Sequence, residues 1–138
     1  GSLIATPGRL QSFGTYSNYF TIIFPIVINE SGVKYCSDLS AVADTCLTVA
    51  MANDYAKYRD GAGARVGDDM VVGWRDNGTL VVGTALPTVQ QVRSRTLTST
   101  GSVAQFELAG PVGSNFLTVF YVPLGEPTSV FAVLLCPP

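Results

Sequence analysis

Short apolar runs separated by turn-forming residues make up most of the chain. The densest run extends from Tyr19 to Asn29, and its odd and even positions are both mostly apolar. A strand with this pattern is covered on both faces. Pro25 interrupts the run and has no N–H to donate to a β-ladder, which favours an edge position or a bend between two sheets. We therefore predict a core strand with a bend or an exposed edge at Pro25.

The clearest turn signal is Asn77-Gly78, which supplies the two positive-φ positions of a type I′ turn between β-rich flanks. With these residues at the turn, Asp76 pairs with Thr79 and Trp74 pairs with Val81. The side chains of Met70, Val72, Trp74 and Val81 then share one face, which we predict to be the core face. An earlier turn at residues 29–32 predicts another hairpin, in which residues 33–36 fold back antiparallel.

A further hairpin is predicted around Thr100-Gly101, where residues 91–98 would pair with residues 103–109. This register pairs Arg95 with Phe106, so arginine stems either cover an apolar face or stand in solvent. Alternating runs at residues 116–122 and 129–136 predict the last two strands.

Two segments are less regular. Residues 37–58 fit a helical period and also alternate in part, so we predict a short helix over residues 38–44, capped by Ser37, and then a strand. Residues 54–69 contain three glycines and few large apolar side chains, which predicts a long loop. Loops of such length in compact domains are usually functional or mobile.

The strand pattern predicts an all-β fold. About seven to nine short strands with frequent turn signals are typical of an antiparallel β-sandwich or a partly closed barrel, here with at most one short helix. Gly1-Ser2 is typical of the residue left by a purification tag, so we interpret residues 1–11 as tag scar and linker. Residues 12–138 are long enough for one β domain with its own core.

Composition excludes several function classes. The formal net charge is -2 and no basic run occurs, which argues against nucleic acid as a partner. No apolar stretch approaches the ~20 residues of a membrane helix, so we expect no membrane insertion. Histidine is absent, which removes the usual general base and every Ser-His or Cys-His pair. We therefore expect a protein that is not an enzyme.

The three cysteines are too few for a disulfide framework or a zinc site with paired spacing. We expect small buried hydrophobic side chains in a protein made in a reducing cytosol. The alternative is a bridge between Cys36 and Cys46, which would leave Cys136 unpaired.

Two groups of residues are candidates for binding. Hard cations take oxygen ligands from loops, so a cluster of carboxylates predicts a calcium site. The alternative is that these carboxylates are simply solvated. The cluster comprises Asp60, Asp68, Asp69 and Asp76. Apart from calcium we expect no cofactor. Tyrosine and arginine are enriched in binding hot spots, and those in or near the long loop and the hairpin end are Tyr55, Tyr58, Arg59 and Arg75.

An arm through Thr6-Pro7-Gly8, an all-β body with a Thr, Ser, Gly and Val surface, and the last strand Val130–Cys136 resemble a known capsid domain. It is the C-terminal protruding domain of small icosahedral RNA-virus capsid proteins, of the nodavirus or tombusvirus kind. The resemblance implies that the arm is a hinge from the shell domain, that the domain dimerises or trimerises into a spike, and that outer loops bind a host-cell receptor or glycan. It also implies a location on the virion surface after synthesis in the host cytoplasm.

Two other classes remain open. A carbohydrate-binding β-sandwich module of a phage or bacterial protein would line one open face with aromatic residues such as Tyr55 and Trp74. A small hydrolase would use Asp68 and Asp69 as paired carboxylates, but glycoside hydrolysis also needs an aromatic cleft, and the chain has one Trp.

Overall fold

Two antiparallel β-sheets form the protein. The computed structural model describes residues 11–13, 20–29, 32–38, 46–51 and 61–138, and these ranges contain eleven strands and no helix. The five-stranded sheet has the order β1-β2-β3-β4-β5, and the six-stranded sheet has the order β11-β10-β9-β8-β7-β6. The predicted all-β antiparallel sandwich is confirmed.

The first sheet comprises β1 Gln11–Phe13, β2 Phe20–Ile23, β3 Ile26–Asn29, β4 Gly32–Tyr35 and β5 Leu47–Met51. The second comprises β6 Gly61–Val66, β7 Asp69–Asp76, β8 Thr79–Leu86, β9 Gln91–Ala109, β10 Leu117–Pro123 and β11 Phe131–Leu135.

The apolar run that contains Pro25 forms two strands rather than one. Strands β2 and β3 pair antiparallel within one sheet, and the cis peptide bond Phe24-Pro25 lies in the tight turn between them. The backbone N–H of Cys36 donates to the carbonyl oxygen of Pro25 at 2.7 Å. The prediction of a bend between sheets or an exposed edge is wrong, because a proline without an N–H also suits a turn. Burial on both faces is correct, since Ile22 and Ile23 are both buried.

The six-stranded sheet curls into a half-barrel around its own core. One buried cluster draws its side chains from all six strands of this sheet, from Ala62 on β6 to Leu135 on β11. The curl brings β6 into contact with β9. Gly110, just after β9, lies so close to the backbone of Arg65 that a Cβ atom there would overlap its carbonyl oxygen. A glycine is therefore required where the half-barrel closes.

A second core fills the space between the two sheets. It joins Ile23, Ile26 and Ile28 of the five-stranded sheet to side chains of β7 and β8. The predicted core face of the β7–β8 hairpin is confirmed, because all four of its residues belong to this cluster: Met70, Val72, Trp74 and Val81. Strands β7 and β8 are thus buried on both faces.

Local turn chemistry explains the β7–β8 hairpin. Asp76 pairs with Thr79 and Trp74 with Val81, as predicted. Asn77 and Gly78 have φ values of 55° and 81°, the left-handed region that a type I′ turn requires. The earlier predicted hairpin is also confirmed, since β3 pairs antiparallel with β4.

The predicted hairpin around Thr100-Gly101 is wrong. Residues 91–109 form one 19-residue strand, β9, whose first part pairs with β8 and whose second part pairs with β10. Gly101 has a φ of 62°, but it lies in a bulge where the register to β8 shifts between Thr79 and Leu80. The Thr100 hydroxyl donates to the carbonyl oxygen of Leu97 at 3.0 Å and stabilises this corner. Arg95 consequently pairs with Val82 and is exposed.

The structure differs in part from the prediction for the two less regular segments. Residues 61–66 of the predicted long loop form strand β6, because Gly61 and Gly63 lack a Cβ atom and so allow this strand to pack closely against Ile28 and Ile23 of the other sheet. The rest of that loop up to residue 60, and residues 39–44 of the predicted helix, lie outside the described residues. The strand expected after the helix is β5. Gln11 belongs to strand β1, so the predicted linker ends one residue too late, and its first ten residues are not described.

The cysteine prediction needs correction. Cys36 and Cys46 form a disulfide, with a Cα–Cα distance of 5.0 Å, instead of remaining reduced. Cys36 is buried as expected, but Cys136 is exposed and free. The bridge fixes the end of β4 against the start of β5, across a sequence separation of 10 residues.

We expect Gly63→Ala to destabilise the protein by about 1 to 3 kcal/mol, because the added methyl group would overlap the Cγ2 atom of Ile23 and force the sheets apart. Urea unfolding of both proteins measures the difference. The matched control is Gly125→Ala, where no heavy atom lies near the new Cβ and the change should stay within about 0.5 kcal/mol. Equal unfolding midpoints for the two variants would contradict the close packing at Gly63.

We expect the double variant Cys36→Ala with Cys46→Ala to lose about 2 to 3 kcal/mol of unfolding free energy, because the bridge restricts the unfolded chain. Chemical denaturation measures the loss, and Cys136→Ser is the control without effect. A thiol titration of the unfolded, unreduced protein should detect the Cys136 thiol alone. Three reactive thiols per chain would show that the bridge is absent.

Candidate functional site

The described carboxylates of the predicted calcium site do not converge. Asp68 and Asp69 are exposed at the turn from β6 to β7, and Asp76 is half-buried at the opposite end of β7. A strand of this length separates Asp69 from Asp76 by about 23 Å. Asp60 lies outside the described residues. Within the described ranges no three Asp, Glu, Cys or His side chains are grouped closely enough to hold a metal ion. These three aspartates therefore do not build the predicted site together.

Arg75, predicted as a binding residue, connects two strands through hydrogen bonds. Its side chain is half-buried, and Nη1 donates to the backbone carbonyl oxygens of Ala104 at 2.9 Å and Val103 at 3.3 Å. The guanidinium thereby ties β7 to the second part of β9. The other three residues predicted for receptor or ligand binding, Tyr55, Tyr58 and Arg59, lie outside the described residues.

The aromatic residues between the sheets serve packing. Trp74 is only 3% exposed and belongs to the core between the sheets, so it does not line an open face as the carbohydrate-binding hypothesis expects. Tyr35 is buried in the same core, and this burial raises the pKa of its phenol because the phenolate would lose its hydration.

An exposed apolar surface lies on the outer side of β10 and β11. We call it the apolar edge surface and define it by Phe120, Val130, Ala132 and Leu134. Phe120 is 41% exposed, Val130 70% and Leu134 65%, which is high for large apolar side chains in neighbouring positions. Phe120 pairs directly with Ala132. Because alternate residues of a strand point to the same face, Ala132 and Leu134 of β11 share this outer side, and Val130 directly precedes the strand.

The opposite side of the same two strands faces the half-barrel core. Leu117 and Val119 of β10 are fully buried, and their partners on β11 are Leu135 and Val133. The rings of Tyr121 and Phe131 stack at the end of the pair with centroids 5.8 Å apart. Both faces of β11 are therefore apolar, but only one of them is covered by described residues.

Charge is scarce around this surface. Glu126 is the only charged residue after Glu107 in the sequence. Glu107 is exposed beside Phe120 and borders the apolar edge surface on β9. Edge strands are usually protected by lysine, proline, a bulge or an inward-pointing charge. Strand β11 ends the six-stranded sheet and contains none of these residue types, so its outer edge lacks the usual protection.

Sequence reasoning recognised residues 129–136 as a strand but did not identify their surface. The signal was present, since the odd and even positions of this segment are both apolar, as in the run from Tyr19 to Asn29. Deciding which face is covered requires the strand order. Only the order places β11 at the end of its sheet.

No protein-family model, curated protein or solved structure matches this chain. In the part of the chain that the structure describes, no helix has the length and apolar character needed to cross a membrane. The apolar edge surface is therefore the main basis for a functional inference.

We expect Arg75→Met to lower the unfolding free energy by about 1.5 to 3 kcal/mol, because two backbone carbonyls lose a charged hydrogen-bond donor. Thermal and urea unfolding measure the effect. Arg93→Met, at an exposed position of β9, is the matched control and should change stability by less than about 0.5 kcal/mol. Unchanged stability of the Arg75 variant would instead favour a binding role for its guanidinium.

Proposed function

We propose that this chain is a non-enzymatic protruding domain on the surface of an icosahedral RNA-virus capsid. In this role it associates with other copies of itself in a dimeric or trimeric spike and attaches the particle to a host-cell receptor or glycan. The observation that carries the proposal is the apolar edge surface, which is exposed in the single chain and nearly free of charge.

Self-association explains this surface. Monomeric proteins rarely expose contiguous apolar patches of more than a few hundred Å², and such patches usually mark interaction sites. Phe120 and Ala132 are direct partners across the strand pair, and Leu134 follows two positions along the same face, opposite Thr118, so these side chains form one patch rather than scattered residues. A domain held at high local density on a shell needs only a weak contact of this kind, because tethering gives an effective concentration of about 1 mM.

The disulfide agrees with a location outside the reducing cytosol. Disulfides persist on virion and cell surfaces and are rare in cytosolic proteins. A bridge between Cys36 and Cys46 therefore suits a domain that forms in the host cytoplasm and acts on the outside of the released particle. It stabilises the end of β4 in that environment.

We assign attachment to three residues of the loop that the sequence predicts. Tyr55, Tyr58 and Arg59 combine two aromatic rings and one cation within five positions, a composition enriched at binding hot spots. Under the carbohydrate-binding alternative, Tyr55 is still a candidate for stacking on a sugar, whereas Trp74 is buried and is no longer one. A glycan as the attachment ligand remains part of the proposal.

We expect the domain to be monomeric at about 10 μM and to self-associate as its concentration approaches about 1 mM, the density that tethering to a shell provides. Sedimentation equilibrium across this range measures the association. Beads that carry many copies should bind cultured host cells. The triple variant Tyr55→Ala, Tyr58→Ala and Arg59→Ala should bind at least about tenfold more weakly.

The two parts of the test have separate controls. Arg93→Ala alters an exposed residue of β9 and should leave both self-association and cell binding unchanged. A strict monomer at millimolar concentration would argue against the spike, whatever the beads do. Binding to a soluble-glycan array by a monomer that does not bind cells would favour the carbohydrate-binding module instead.

A further inference from the structure

The free edge of β11 has the features of a self-complementary contact. It ends the six-stranded sheet, and no described strand pairs with its outer side. The backbone N–H and C=O groups along such an edge can bond to another strand. The flanking apolar edge surface adds side-chain contacts, so backbone and side chains point to one common partner.

We propose that two copies of this chain pair antiparallel through β11, with Val133 of each copy on the two-fold axis. The proposal rests on the proposed self-association and names the surface and the register that produce it. The two six-stranded sheets then form one continuous twelve-stranded sheet across the dimer.

Local structure limits the register. The N–H of Ser129 is engaged in a turn, donating to the carbonyl oxygen of Glu126 at 3.1 Å. At the other end, Pro137 has no N–H to donate to a ladder. Residues 130–136 therefore form the available window, and its midpoint is Val133. An antiparallel pair centred there matches Val130 with Cys136 of the second copy and uses the whole window.

This register also keeps the two faces of the sheet separate. Antiparallel pairing about residue 133 matches even positions with even positions and odd with odd. The exposed side chains of Ala132 and Leu134 therefore lie opposite Leu134 and Ala132 of the second copy on the outer side. A shift by one residue would place outer side chains against inner ones and is disfavoured.

The charge distribution favours a second copy of the chain. A two-fold contact brings the same surface of both copies together, so a surface of one charge would repel itself. Neither β10 nor β11 carries a charge, and Glu107 lies on β9, two strands away from the edge. The outer patches of both copies merge into one neutral apolar surface without opposing like charges.

The size of the contact fits weak association. Seven paired residues extend about 23 Å along the strands. A contact of this length and one strand in width buries less surface than the roughly 800 Å² per partner of a stable interface. We therefore expect dimers only at high concentration in solution, and stable pairs where a shell holds the domains together.

Cysteine cross-linking tests the register. The native chain contributes the exposed Cys136, so Val130→Cys should give a dimer linked twice between residue 130 of one copy and Cys136 of the other. Within one chain these positions lie about 20 Å apart and cannot bridge. On the two-fold axis, Val133→Cys combined with Cys136→Ser should cross-link to itself. Mild oxidation at high protein concentration, non-reducing electrophoresis and peptide mass spectrometry detect the products.

Matched single-thiol proteins provide the controls. The native protein, with Cys136 alone, and Val130→Cys combined with Cys136→Ser should remain monomeric, because each thiol lies about 20 Å from its own counterpart in this register. Leu134→Lys should weaken self-association at least tenfold with little loss of stability, since the residue is exposed. Val89→Lys changes another exposed apolar residue, in the turn between β8 and β9, and should have no effect.

The outcomes separate this inference from the proposed function. Concentration-dependent dimers that cross-link through other positions, or that tolerate Leu134→Lys, would overturn the β11 pairing and leave the spike role intact. Strictly monomeric protein at millimolar concentration would overturn both. A monomer in which the β11 amides that do not bond to β10 are also protected from hydrogen exchange would show that the outer edge is covered within the chain, and would also overturn the pairing.

Discussion

Burial of the β7–β8 hairpin on both faces is the constraint on which the remaining structure depends. One face contributes Val71, Leu80 and Val82 to the half-barrel core, and the other contributes Trp74 and Val81 to the core between the sheets. Removing a side chain from either face leaves a cavity in a close-packed interior. The hairpin is therefore shared by the two cores, and its type I′ turn fixes the register on which both depend.

The sequence predicted this hairpin well because its signal is local. Asn77 and Gly78 determine the turn, the turn determines the pairing, and the pairing determines which side chains share a face. The fold class followed from the same kind of signal, repeated along the chain. Local turn chemistry combined with period-two alternation is enough to identify an antiparallel sandwich.

The errors arose where one local signal fits two tertiary arrangements. A glycine with positive φ suits both a hairpin turn and a bulge, and Gly101 lies in a bulge at which β9 changes its partner from β8 to β10. Pro25 likewise suits an edge or a turn, and it lies in a turn. Spacing alone also leaves the bridge between Cys36 and Cys46 open, because the distance between β4 and β5 depends on the pairing of the whole sheet. For the candidate site, the sequence supplied residue types but not their positions in space, so it grouped Asp76 with Asp68 and Asp69, although the length of β7 separates Asp76 from these two.

The asymmetry of β11 connects the fold to the proposed function. Val133 and Leu135 pack into the half-barrel core, while Ala132 and Leu134 are equally apolar and remain exposed. Folding of the single chain gains nothing from an apolar outer side, since polar residues there would leave the half-barrel core unchanged and would protect the edge. Coverage of this outer side by a second copy is the role that we propose for it. Because no described strand pairs with the edge beside it and β11 carries no charge, the proposed pairing with an identical strand would cover the backbone and the side chains at the same time.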